Sequence, residues 1–211
     1  MIHFFKHKLS VVKNNRILFA MMIILTITNF NIKRWEDKKV IKWDVTSYYA
    51  YLPAIFIYND LSLSFIEGNE KHYKINQMFW PETSTNGAKV IKTTMGMSML
   101  YAPFFALGHV EALLTNQSAD GFSIPYQKWI HLSALFYLLF GLYFLNKFLI
   151  EKFNTTSSSI TISAIILGTN LFYYATTEAA MSHIYSFSLI SAFIYFFDSW
   201  YYKANIKKSV I

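Results

Sequence analysis

Five long windows without Asp, Glu, Lys or Arg limit what this chain can fold into: residues 17–32, 93–110, 129–146, 154–177 and 179–197. A membrane helix needs about 20 predominantly apolar residues, because its backbone must satisfy its own hydrogen bonds across the hydrocarbon layer. The windows run 16, 18, 18, 24 and 19 residues. The first is short, but Val11, Val12 and the snorkelling of Lys13 and Arg16 extend it. The spacing predicts an all-α, multi-pass membrane helical protein, a single membrane domain over 1–211. It has about four transmembrane helices, plus juxtamembrane helices in a long first outer loop.

Only 15% of residues are charged, while 54% are hydrophobic and 19% aromatic. Soluble domains average roughly 25% charged residues, so the deficit points to lipid around much of the surface. The net charge of +7 comes from basic residues that flank the apolar runs. That placement suits membrane lipid with anionic headgroups, not nucleic acid, and no nucleic-acid recognition motif is present. The absence of cysteine excludes disulfides, thiolate catalysis and Cys-based metal sites. No small-residue cleavage site follows the basic N-terminus, which reads as an uncleaved first span and not as a signal peptide. The sequons at Asn116 and Asn154 carry little weight in a chain of unknown source.

The window at 93–110 contains Gly96, Pro103 and Gly108. If it does not cross, four spans remain. The N-terminus, the 147–153 loop and the C-terminal tail then share one side, which collects Lys6, Lys8, Lys13, Arg16, Lys147, Lys152, Lys203, Lys207 and Lys208. The positive-inside rule makes that side cytoplasmic. The preferred reading is therefore a juxtamembrane or re-entrant helix at 93–110, in an extracytoplasmic loop spanning 33–128. Asp44, Lys92 and Glu178 would then meet at the outer membrane surface.

Asp44 stands in Trp43-Asp44-Val45-Thr46-Ser47-Tyr48-Tyr49-Ala50-Tyr51-Leu52-Pro53, just beyond the first window. Acids at a membrane border are costly to desolvate and usually have a task. Asp44, Tyr48, Tyr51 and Ile55 recur at helical spacing and share one face, and Pro53 should bend or divide this helix. Asp44 suits a general acid or base, and a tyrosine-walled cleft can hold a sugar by stacking. It also suits an N-terminal cap for the following helix. Lys92 suits a lipid-linked phosphate near a helix N-terminus, or interfacial anchoring. Glu178 and His183 lie between two apolar windows and could bind a polar substrate. No His-x-x-x-His pattern supports a metal, and the residues name no cofactor. Residues 67–89 read as turns and irregular chain. Asp120-Gly121 through Tyr126 reads as a tight turn leading into a span.

Asp44, the run from Lys92 through Thr93-Thr94-Met95-Gly96 to Pro103 and Gly108, the stretch 125–153, and Glu178 together resemble the GT-C superfamily of integral-membrane glycosyltransferases. That superfamily includes the protein O-mannosyltransferases and the lipid A aminoarabinose transferases. Gly168-Thr169-Asn170-Leu171-Phe172-Tyr173-Tyr174, with Ser182-His183-Ile184-Tyr185-Ser186, is similar to an uncharacterised bacterial branch of such proteins. The resemblance covers the N-terminal portion only, since family enzymes are much longer, so a truncated and inactive form is one expectation. It implies transfer of a sugar from a polyprenyl-phosphate donor to an acceptor at the outer face of a bacterial inner membrane. Asp44 would be the base and Lys92 would offset charge on the departing phosphate, while Tyr48, Tyr51, Glu178 and His183 would shape the sugar pocket. The competing expectation is a non-enzymatic helical membrane protein, whose Gly141 and small residues at 186–192 pack against partner membrane helices.

Overall fold

The computed structural model describes residues 15–65 and 81–203, and the chain is 69% helix and 2% strand. Its elements run α1 (Arg16–Ile32), α2 (Asp44–Tyr49), α3 (Tyr51–Phe56), β1 (Glu82–Thr83), β2 (Lys89–Val90), α4 (Gly96–Leu114), α5 (Ile124–Lys152), α6 (Thr155–Gly168), α7 (Leu171–Thr176) and α8 (Ser182–Lys203). Two of these helices, α4 with 19 residues and α5 with 29, have the length and apolar composition to cross a membrane. The sequence reading had α4 lying along the surface, yet it has the dimensions of a span. The chain divides into two compact units.

The first unit comprises residues 1–32, 135–177 and 183–211. Asn15 caps α1, its side-chain oxygen accepting the Leu18 amide at 3.0 Å and so satisfying one orphan donor of the first turn. Leu18, Leu25 and Asn29 form the buried stripe of α1 and pack toward α6 and α7, while Ile24, Ile27 and Phe30 stay exposed. Between α5 and α8, a Cβ added to Gly141 would lie 2.7 Å from the Ser188 Cα, so only glycine allows this approach. The small residue expected to face partner helices is therefore used inside the chain.

The window at 154–177 was expected to form one span, and the structure breaks it. Asn154 caps α6 by accepting from the Ser157 amide at 2.8 Å, and the helix ends after 14 residues at Thr169, which is extended (φ −127°, ψ 176°). A helix of that length rises only about 21 Å, short of a hydrocarbon layer of about 30 Å. The Thr169 hydroxyl donates to the Ile165 carbonyl at 2.6 Å and accepts from the Leu171 amide at 3.1 Å, so a side chain covers the interrupted ladder. Apolarity alone carries no information about that local competition.

The second unit comprises residues 33–134 and 178–182. Its core is aromatic: Tyr49 lies 5.8 Å from both Phe105 and Phe122 between ring centroids, and Phe105 lies 5.4 Å from Tyr126. As the sequence predicts, Pro53 marks a division, with α2 and α3 meeting at Ala50. Proline has no amide hydrogen to give the Tyr49 carbonyl, and the ladder resumes with the Ala54 amide on the Ala50 carbonyl at 3.1 Å. The Asp120 turn also forms as expected. Its Oδ1 accepts from the amides of Phe122 and Ser123 at 2.7 and 2.9 Å, and Gly121 takes φ +87°. A Cβ there would lie 2.9 Å from that of Pro53, so the turn packs directly on α3. Residues 81–90, read as irregular, instead form a small antiparallel hairpin with Glu82 opposite Val90 and Gly87 at φ +82° in its loop. Glu67 through Glu70 lie outside the described residues.

Candidate functional site

The second unit holds a cluster of three charges that local sequence spacing does not reveal. Glu178 Oε1 accepts from Lys42 Nζ at 3.1 Å and from Arg34 Nη2 at 3.5 Å. The three side chains are 24%, 19% and 23% exposed, placing the cluster between a solvated surface and a closed core. The Coulomb attraction of such a pair exceeds that of an open surface pair, because less water screens it.

Each partner is held from below. Gln127, buried in the first turn of α5, accepts the amides of Val40 and Ile41 on one side-chain oxygen at 3.0 and 2.8 Å. Its nitrogen donates to the Phe122 carbonyl at 3.3 Å, which fixes the orientation of the amide. Two backbone donors that would otherwise be stranded are thereby satisfied, and Lys42 follows directly. Opposite it, the fully buried Tyr101 of α4 donates its hydroxyl to the Ala180 carbonyl. The Glu178 turn closes through the Met181 amide on the Glu178 carbonyl at 3.1 Å.

The segment carrying Arg34 and Lys42 is tightly wound, with Lys33, Lys38 and Trp43 at φ 46°, 53° and 52°. Positive φ costs an L-residue roughly 1–2 kcal/mol, and such conformations gather where function constrains the backbone. Trp43 (φ 52°, ψ −128°) sits at a corner ordinarily given to glycine, closed by the Val45 amide on the Lys42 carbonyl at 3.1 Å. Asp44 emerges from that corner.

Asp44 is the first residue of α2 and exposed, and its side chain makes no hydrogen bond or ion pair among the described residues. The capping role considered from sequence is not filled: Trp43 occupies the cap position and no side chain bonds the first-turn amides. A carboxylate there still complements the helix dipole. Tyr48 and Tyr51 are half-buried, and the Tyr48 carbonyl accepts the Ser98 hydroxyl, tying α2 to the first turn of α4.

Lys92 pairs with Glu82 of the hairpin at 2.8 Å, with both side chains more than 60% exposed. Such a surface pair is worth about 0–1 kcal/mol. His183 belongs to the first unit, exposed in the first turn of α8, its ring 4.0 Å from that of Tyr174. Asp44, Lys92 and Glu178 thus belong to one compact unit, and Glu178 bonds the chain two residues before Asp44. Lys92 bonds Glu82 instead.

The sequence does not single out Arg34 and Lys42, since contacts across 144 and 136 positions leave no local pattern. Equally unforeseen is the clamp between α4 and α5, where Glu111 accepts from Lys128 Nζ at 2.5 Å and from Trp129 Nε1 at 2.7 Å. His109, given no role from sequence, meets the Tyr126 hydroxyl at 2.6 Å. Among the described residues, no group of three His, Asp or Glu could hold a metal ion.

Comparison with known proteins finds no matching family model, no similar curated protein and no similar solved structure.

Proposed function

We propose that the chain is a GT-C-like membrane glycosyltransferase that moves a sugar from a polyprenyl-phosphate donor to an acceptor at the outer face of the membrane. The observation that carries this reading is an exposed carboxylate with no partner among the described residues, Asp44, two residues from a lysine that shares Glu178 with Arg34. Deprotonating an acceptor while a lipid phosphate departs needs a reachable base and a nearby positive field, and these residues supply both types of group. Asp44 would take the proton from the acceptor hydroxyl or amine as that atom attacks the anomeric carbon. Tyr48 and Tyr51, on the same helical run, would border the sugar.

The proposed topology has four crossings of a bacterial inner membrane, by α1, α5, the interrupted run of α6 and α7, and α8. In it α4, although long enough to cross, lies along the outer surface, with the N-terminus in the cytoplasm and residues 33–128 outside. The two apolar helices support a membrane setting. Exposed Leu189, Ile190, Phe193 and Phe197 on α8, and Ile24 and Ile27 on α1, suit lipid contact. The non-enzymatic reading loses part of its support, because Gly141 packs against Ser188 of the same chain.

The test uses protein in nanodiscs with a radiolabelled polyprenyl-phosphate sugar, following loss of label from the lipid. Native protein should release the sugar, and Asp44→Asn should slow release by 10²–10⁴-fold, the usual contribution of a positioned base. No release by native protein with any donor, or equal release by Asp44→Asn at normal membrane insertion, would overturn the reading.

A further inference from the structure

We infer that Arg34 and Lys42 form a site for a phosphate oxyanion, in which the Glu178 carboxylate occupies the position the phosphate takes. This deepens the proposed function by moving the donor's phosphate from Lys92 to two residues that the sequence did not mark, and it rests on that reading for its lipid-linked ligand. Both cations bond the same oxygen of Glu178, at 3.1 and 3.5 Å. Charge-assisted bonds of good geometry run near 2.7–2.9 Å, and a guanidinium prefers a two-point grip on an oxyanion. The Arg34 contact is longer than that and has one point. A phosphate presents several oxygens where Glu178 presents one, so it can meet both cations at shorter range.

Charge and support agree. Two cations converge on one carboxylate oxygen, while Asp37 of the same segment pairs with Lys39 at 2.8 Å. The backbone on each side is fixed by a buried side chain, Gln127 beneath residues 40 and 41 and Tyr101 beneath Ala180. Exchange of one anion for another would therefore need only the Glu178 side chain to swing away. The three side chains are 19–24% exposed, so solvent reaches the cluster. Lys92, by contrast, is 67% exposed, and its pairing with Glu82 competes with water.

A carboxylate that stands in for the ligand is a competitor, and a purely structural one is not, so the two roles predict opposite effects for the same substitution. The experiment measures binding of isoprenoid monophosphate, phosphatidic acid and inorganic phosphate to the full chain in zwitterionic nanodiscs. Glu178→Gln should tighten binding by about threefold to tenfold, and Arg34→Gln or Lys42→Gln should each weaken it about tenfold, or about 1.4 kcal/mol. Lys39→Gln, which removes a cation of the same segment, should leave affinity within about twofold. If Glu178→Gln fails to fold, Glu178→Asp, which withdraws the carboxylate by one methylene, should shift affinity in the same direction. Binding that weakens in the Glu178 variants, or that ignores Arg34→Gln and Lys42→Gln, overturns the inference. Equal competition by inorganic phosphate assigns the site to free phosphate, and competition by the lipid phosphates alone assigns it to a headgroup. Phosphate binding without sugar release leaves this site standing and removes the transferase reading. Sugar release indifferent to Arg34→Gln and Lys42→Gln does the reverse.

Discussion

The largest polar clusters of the two units differ in kind, although the first unit also buries a charge, Lys147, over the rings of Tyr143 and Tyr195. In the first, Asn146 Oδ1 accepts from Asn15 Nδ2 at 2.8 Å and from Ser158 Oγ at 2.9 Å, and Ser159 donates to Asn15 Oδ1 at 2.8 Å. All four residues are at most 4% exposed, and none is charged. In the second, the main polar cluster is ionic and about one-fifth to one-quarter exposed. A neutral network sealed among helices joins them, since its groups have no water to return to. A charged cluster left partly open keeps the option of changing partners. The first is an arrangement for cohesion and the second for exchange.

The largest expected effect tests the cohesive half. Asn146→Leu would strand the Asn15 amide and the Ser158 hydroxyl, at a cost of about 3 kcal/mol, seen as a lowered midpoint of unfolding in detergent. Phosphate affinity should not move with it. If affinity collapsed in parallel with stability, the division of labour between the two units would fail.

Gln127→Leu sharpens the comparison from the other side, because it removes the acceptor for two backbone amides beneath Lys42. Loss of about 2 kcal/mol of stability is expected, together with weaker phosphate binding. Titrating phosphate into the folded fraction separates the two effects. Stability lost without any change in affinity would mean that the loop holds its shape unaided.

The smallest effect concerns pH. Burial raises the Asp120 carboxyl above the 3.8 of a free aspartate, against the lowering pull of the amides of Phe122 and Ser123. A raised acid adds most stability below its unfolded value and loses that contribution as pH climbs through its folded value. The contribution of Asp120, read as the difference between native protein and Asp120→Asn, should therefore grow slightly as pH falls from neutrality toward the carboxylate range. Asp120→Asn keeps the acceptor and should remove that dependence, changing stability at pH 7 by less than about 1 kcal/mol. An identical pH profile in the variant would show that the turn is indifferent to its charge.

Much of the architecture could be read from local pattern. The charge-free windows became helices, Pro53 split α2 from α3, and Asp120-Gly121 made its turn. These features depend on neighbours within a few residues. The break at Thr169 escaped because a hydroxyl competing for backbone bonds leaves the apolar count unchanged. At the candidate site, Asp44 and Glu178 stood out as acids bordering apolar runs. The pairing of Glu178 with Arg34 and Lys42 depends on how the chain returns after more than 130 residues, which no periodicity encodes.

Gln127 grips Val40 and Ile41 by their main-chain amides, which every residue except proline possesses. The grip is blind to the side chains at those two positions, so only the core that buries Val40 and Ile41 restricts them, while the lysine after them stays in register. Gln127 has no such latitude. Asparagine is a methylene too short, and glutamate would lose the donor that fixes its orientation on the Phe122 carbonyl. Among chains descended from this one, the strap should accept exchange of one apolar residue for another, and the buckle should accept none.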